Sequence, residues 1–310
     1  MKQKNKALVL MNMGGARNKD ELKLFLNNMF NDKNIITFKS TFLRYCLAKI
    51  IVLSRLNKAW ENYVKIGGSS PLHSITIKLV NKLNNKLENY EVKQVMRYTP
   101  PFAQEACDSL QELNIKELVL LPLYPQYSTT TTKSSLEDFM NVKNFNFKTR
   151  IIEPFYKNDL FNTIIINDIK KSVLSTKGYN LIFSAHGLPQ KIVDAGDPYQ
   201  EQVREHVAIL IEKLKKEDLE FTSVNLAYQS KVGPMKWITP SLDDKLKEFK
   251  NERVLIYPIS FIIDNSETIF ELDIEYREIA KSHGISDYKV CPCVNDSDAF
   301  VSFIEELIKE

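Results

Sequence analysis

The sequence predicts an α/β fold made of two similar Rossmann-like halves, each a doubly wound parallel sheet. Three observations carry that prediction. Short apolar runs end in turn residues and alternate with helical patterns, as strands and crossover helices of a parallel sheet do. The runs come in two matching sets, one in each half of the chain. A length of 310 residues accommodates two domains of roughly 100–200 residues each.

In the first half, Ala7–Met11 leads into Asn12-Met13-Gly14-Gly15. Leu118–Leu121 leads into Pro122-Leu123-Tyr124-Pro125-Gln126-Tyr127-Ser128 and then four threonines. In the second half, Leu181–Phe183 leads into Ser184-Ala185-His186-Gly187-Leu188-Pro189. Val254–Ile256 leads into Tyr257-Pro258-Ile259-Ser260-Phe261 and then Asp264-Asn265-Ser266-Glu267. Each half therefore has an opening strand with a small-residue loop, and a late strand followed by proline, an aromatic and a polar cluster. The repeat puts the boundary near residues 145–160, with 1–150 as the first domain and 151–310 as the second. Doubly wound sheets bind ligands at the carboxyl ends of their strands, so the four loops are expected to share one cleft between the halves.

The segment Phe38–Ile66 stands apart. Phe38, Phe42, Leu43, Cys46, Leu47, Ile50, Ile51, Leu53 and Leu56 lie among Lys and Arg at amphipathic-helix spacing, with a broad apolar face. Such a face is either core or a lip that meets a greasy ligand or a membrane surface.

Composition narrows the function classes. Hydrophobic residues at 44% and charged residues at 26% describe an ordinary globular chain, which argues against long disorder. The net charge of +3 is too small for a dedicated nucleic-acid surface. Basic residues precede Ala7–Met11, but that run is shorter than a leader's apolar core and ends in a glycine turn, so it reads as a buried strand. No uncharged run approaches the ~20 residues needed to cross a bilayer. Four cysteines make no disulfide framework, and Cys291-Pro-Cys293 has no second pair with which to build a zinc or iron–sulfur site. The expected setting is the reducing cytoplasm.

Chemistry-bearing residues are few. His73, His206 and His283 sit among polar residues and read as solvated side chains. His186 directly follows an apolar strand on a tight turn, where an imidazole meets a ligand and moves protons near neutral pH. Glu267, Glu271 and Glu275 repeat at i, i+4 and i+8, with Asp264 before them, so three carboxylates line one helix face. Phe261, Ile262, Ile263, Ile269, Phe270 and Leu272 crowd the same stretch, and carboxylates beside so much apolar surface need a cation, a proton or a partner. Gly67-Gly68-Ser69-Ser70 is either an anion cradle of backbone N–H groups or a plain turn. Arg97 and Tyr98 have the donors to hold a carboxylate.

Together these loops resemble the ferrochelatase family along almost the whole chain. In family order come Leu10 to Gly15, Tyr63 to Pro71, Met96-Arg97-Tyr98, Pro122 to Ser128, Ser184 to Pro189, Gly196-Asp197-Pro198-Tyr199, Tyr228-Gln229-Ser230-Lys231-Val232-Gly233-Pro234 with Trp237, and Asp264 to Asp273. The resemblance implies a lyase that inserts Fe2+ into a porphyrin to make haem. It implies His186 and Glu267 as the catalytic, metal-meeting pair, and Glu271, Glu275 and Asp264 as a path for metal or protons. Met13, Lys65, Arg97, Tyr98, Tyr127, Ser134 and Trp237 are the implied porphyrin contacts. Proton acceptance by a neutral His186 is the favoured first role.

The resemblance also implies iron as substrate, no tightly bound cofactor and a monomer. The chain lacks the cysteine-bearing extension of animal members, so no 2Fe–2S cluster is expected. Asn265 stands where the family usually has histidine, Ser69 and Lys133 where it has glycine, and Ala16 where proline is common. Two rivals remain: a chelatase placing cobalt or nickel in a sirohydrochlorin-type ring, and a non-catalytic porphyrin or haem binder. A dinucleotide enzyme is disfavoured, because no G-x-G-x-x-G follows the first strand. Met13 and the apolar Phe38–Leu56 segment favour protoporphyrin IX over coproporphyrin III, since an apolar wall disfavours two extra carboxylates. That substrate also favours loose membrane contact.

Overall fold

Strands covered on both faces by helices need continuous apolar runs, and the central strands of this chain carry them. In the computed structural model, which describes residues 4–38 and 40–309, the strands form two four-stranded parallel sheets. The first comprises β1 (Lys6–Asn12), β2 (Tyr90–Met96), β3 (Glu117–Pro122) and β4 (Lys148–Ile151), in the order β2-β1-β3-β4. The second comprises β5 (Tyr179–His186), β6 (Ser223–Gln229), β7 (Arg253–Pro258) and β8 (Asp287–Val290), in the order β6-β5-β7-β8. Counted within each half, the two orders are identical, as a duplicated doubly wound unit requires. The four apolar runs legible in the sequence are the four central strands. The edge strands β2, β4, β6 and β8 are more polar and half-exposed, so they give no continuous run.

Strand order reverses between β1 and β3, and again between β5 and β7. A crevice opens at the carboxyl ends of the strands at such a switch point. His186 is the last residue of β5, and Ser260 and Asp264 follow β7, so the topology alone brings them to the switch point of the second sheet.

The chain divides into two compact units. One takes the residues up to Tyr124, Ser128–Glu153 and everything from Asp296 onward; the other takes Pro125–Tyr127 and Pro154–Asn295. The main division falls at 153/154, and the C-terminal segment is part of the first unit. Its helix Asp298–Leu307 buries Phe300, Val301, Phe303 and Ile304. Lys82 pairs with Asp296 and Asp298, and Lys86 with Glu305, which ties that helix to the first unit.

Three helices of the first unit matter below: α1 (Lys19–Asn31), α2 (Thr41–Lys65) and α3 (Leu72–Lys86). Leu22 and Leu26 of α1 share a core cluster with Val52 and Tyr63 of α2. Elsewhere α2 is open: Phe42 is 73% exposed, Ile50 64% and Leu53 77%. The segment is therefore core along one stripe and bare along another. Two glycines in the left-handed region, Gly67 and Gly68, end α2, and their N–H groups return to the Val64 and Tyr63 carbonyls. Ser70 N–H donates to Ala16 O, so these three amides cap and anchor the turn and do not form an anion cradle. No helix among the described residues is long and apolar enough to cross a membrane. Lys2, one of the basic residues ahead of β1, lies outside the described residues.

Candidate active site

In the second unit β5 ends at His186 because Gly187 lets the chain turn against β6. A Cβ on Gly187 would lie 2.7 Å from the Gln229 carbonyl oxygen and 3.2 Å from the Trp237 ring. His186 Nδ1 meets Gly187 O at 2.6 Å, so Nδ1 carries a hydrogen and Nε2 is the atom left to react. Nε2 faces Glu267 Oε1 at 3.4 Å, the His186 side chain about one-third exposed. Tyr199, buried, donates its hydroxyl to the His186 carbonyl at 3.0 Å and bonds Ser260 Oγ at 2.6 Å, which fixes the backbone beneath the ring.

Glu267 opens a π-helical segment, Glu267–Glu275. Its i→i+5 bonding makes a wide turn, a geometry frequent at functional sites. Glu271 is half-buried and accepts from Ser230 N–H at 2.6 Å, Ser230 Oγ at 2.6 Å and Gln229 Nε2 at 3.2 Å. Ser230 adopts a positive φ to bring both donors to that carboxylate. Glu275, one step further, is exposed. The outer end of the row lines a cavity of about 330 Å³ with Asp243, Asp244, Lys231 and Tyr276.

Electrostatics set the charge states. Burial depresses the His186 pKa, but the Glu267 carboxylate, helped by Glu271 and the Gly187 carbonyl, more than reverses this and lifts it to about 9. Burial and the neighbouring Glu267 raise Glu271 to about 7 against the pull of its Ser230 and Gln229 bonds. The resting imidazole is therefore protonated at neutral pH. The sequence reading favoured a neutral ring; in the folded chain the facing carboxylate favours the charged one.

The remaining predicted residues fall into groups. Trp237 lies over Gly187, its indole N–H donating to Val232 O at 3.0 Å. Tyr127, half-buried, donates its N–H to Gln202 Oε1 at 2.7 Å. Asp264, the expected path residue before the row, is tied to its neighbours. Its oxygens accept from Asn295 Nδ2 at 2.6 Å, Thr268 Oγ1 at 2.9 Å and Cys293 N–H at 3.3 Å, so it is a structural lock on the loop before the acidic row. Among the described residues no group of three or more His, Cys, Asp or Glu is arranged to hold a metal ion.

In the first unit the structure joins Arg97, Tyr98 and Ser134 around one residue the sequence did not announce, Asp32. Arg97 Nη2 lies 3.1 Å and the Tyr98 hydroxyl 2.9 Å from Asp32 Oδ2, and Ser134 Oγ donates to the same oxygen. Arg97 also pairs with Asp138 at 3.1 Å. Tyr98 and Ser134 are fully buried and hold each other through Asp32. Arg97 is 20% exposed and its charge is shared by two carboxylates. Met13 is half-buried after β1, and Lys65 is exposed in the last turn of α2.

The other unforeseen residue is His206. It is fully buried and not solvated: Gln126 Nε2 donates to its Nδ1 at 2.8 Å, and its Nε2–H donates to Asn162 Oδ1 at 2.8 Å. The alternation of apolar positions along its helix, Tyr199–Lys216, was the available signal. Cys107, Cys291 and Cys293 are also buried, and burial pushes the Cys291 thiol up to about 12.

Two doubly wound sheets, with a His–carboxylate pair at a strand-end switch point, have a counterpart among solved structures. SirB from Bacillus subtilis, solved with Fe3+, superposes with a TM-score of 0.57 over 98% of this chain and 95% of its own at 10% identity, which speaks for the fold. In sequence, the chain is 51% identical to the ferrochelatase of Sulfurimonas denitrificans over 98% of each protein. It is 50% identical to that of a Nitratiruptor species over 97% of this chain and 98% of the relative. The ferrochelatase family profile matches residues 5–310. The chain belongs to the ferrochelatase family, the metal-inserting lyases of haem synthesis.

Proposed function

We propose that this ferrochelatase inserts Fe2+ into protoporphyrin IX with release of two protons, using His186 and Glu267 where the metal meets the pyrrole nitrogens. The observation that carries the reading is the 3.4 Å His186–Glu267 pair at the head of a carboxylate row that runs out to an exposed Glu275. Pyrrole nitrogens must lose two protons as the metal enters, so the site needs a base and a route to water. With Nδ1–H held by the Gly187 carbonyl, only Nε2 exchanges its proton. An arriving dication repels the imidazolium and drives that proton towards the carboxylates. The neutral ring then takes the two pyrrole protons one after the other and hands each to the carboxylates, and Glu271, titrating at about 7, passes them on towards Glu275 and water. Nitrogen and oxygen groups that bind Fe2+ weakly let it shed water without being trapped.

The vinyl-bearing ring is favoured by apolar surface: Phe42, Leu43, Ile50 and Leu53 stand exposed on α2. Two additional propionates have no use for such a wall. The same stripe, flanked by Arg44, Lys49 and Arg55, supports a cytoplasmic protein that touches the membrane loosely.

The test is anaerobic Fe2+ insertion with protoporphyrin IX and coproporphyrin III side by side, with His186→Ala as control. Turnover of protoporphyrin IX that disappears in the variant is the expected result. Turnover of coproporphyrin III alone overturns the substrate reading, and tight binding without turnover of either overturns the catalytic one.

A further inference from the structure

The residue that departs most visibly from the family pattern is engaged at both ends of its side chain. Asn265 is 8% exposed. Its Oδ1 accepts the Glu267 N–H at 2.8 Å, and its Nδ2 donates to the Ile263 carbonyl at 3.1 Å. Its own N–H donates to Thr268 Oγ1 at 3.0 Å. Thr268 Oγ1 in turn lies 2.9 Å from Asp264 Oδ1, and Asp264 is held by Asn295. Both polar ends of the amide are engaged with backbone, and an amide does not titrate, so Asn265 carries no proton.

The engagement falls at a sensitive place. The first N–H groups of a helix have no partner within the helix, and a short amide side chain reaching two residues on supplies one. The N–H supplied here belongs to Glu267 itself, the residue whose carboxylate meets His186 Nε2. We propose that Asn265 is a positioning residue for metallation: its side chain fixes the backbone of Glu267 and thereby aims the carboxylate at His186. Asp264, Thr268 and Asn295 anchor Asn265 from behind. The proposal rests on the reading that Glu267 acts in the reaction, and its test separates the two.

The experiment measures kcat and porphyrin KM for Asn265→Ala, Asn265→Ser, Glu267→Ala and the Asn265→Ala/Glu267→Ala double variant. A misplacement of about 1 Å costs up to ~100-fold in rate, so Asn265→Ala is expected to lower kcat by ~10- to 100-fold with little change in KM. Asn265→Ser keeps a neutral acceptor for the Glu267 N–H and recovers most of that loss. In the Glu267→Ala background, Asn265→Ala costs nothing further, because residues acting as one unit are not additive.

Wild-type kcat in Asn265→Ala beside an impaired Glu267→Ala overturns the proposal. So does an equal loss in both backgrounds, or a serine variant as poor as the alanine one. The serine comparison also decides the matter should Asn265→Ala fail to fold. Wild-type kcat in Glu267→Ala instead overturns the reading of Glu267 beneath it.

Discussion

His186 and Glu267, one ending β5 and the other opening the helix after β7, form a pair in which the carboxylate outweighs burial and keeps the imidazole charged up to about pH 9. Removing the carboxylate takes away the largest force against burial, leaving only Glu271 and the Gly187 carbonyl on that side. Glu267→Gln is therefore expected to drop the His186 pKa from about 9 to near or below the ordinary value of about 6.5, read by NMR titration of the ring. A raised histidine pKa contributes stability that is fully present below pH ~6.5 and fades as pH rises through about 9. The same variant should flatten that alkaline loss in urea titrations. An unmoved ring pKa would remove Glu267 as its cause.

Gly187 is the point at which bulk and function collide. Its N–H donates to Gln229 O at 2.8 Å, and a methyl group there would sit 2.7 Å from that same oxygen. Neither backbone can yield without parting β5 from β6 beside His186. Gly187→Ala is expected to cost ~1–3 kcal/mol in chemical unfolding and at least ~10-fold in kcat. Retained activity would mean that the turn relaxes away from the His186 ring.

Ser230 favours the ionised form of Glu271 without outweighing burial. Burial and Glu267 push Glu271 to about 7, with the Ser230 hydroxyl pulling the other way. Ser230→Ala takes away that pull, so the Glu271 pKa should climb further, as followed by carbon NMR of the labelled carboxyl. A fall would show that Ser230 acts on another group.

His206 predicts an acid-side weakness. Burial lowers its pKa to about 3, so the folded chain stays unprotonated there while the unfolded chain binds a proton below about 6.5. Stability is lost as pH falls from ~6.5 towards 3. His206→Gln cannot titrate. It should be less stable than wild type at pH 7 yet lose less between pH 7 and 5, measured as urea midpoints at each pH.

How much of this was legible beforehand follows from what each signal depends on. β1, β3, β5 and β7 announce themselves because a central parallel strand is apolar on both faces, and residues adjacent in sequence suffice to show it. The small-residue loop after β5 and the four-residue rhythm of Glu267, Glu271 and Glu275 are local as well, so His186 and the acidic row could be singled out from the chain alone.

The rest depends on partners distant in sequence. Asp32 captures Arg97 and Tyr98 from the loop after β2 and Ser134 from a segment more than thirty residues further on. Asn295 turns Asp264 into a lock, Gln229 and Ser230 close on Glu271, and the helix Asp298–Leu307 returns to the first unit. The sequence by itself determined which strands are central and which side chains are candidates for chemistry. Only the tertiary structure decided which of those side chains are exposed, which are already satisfied and whether His186 bears a proton, because hydrogen bonds and pKa values are set by whatever the fold brings within a few ångströms.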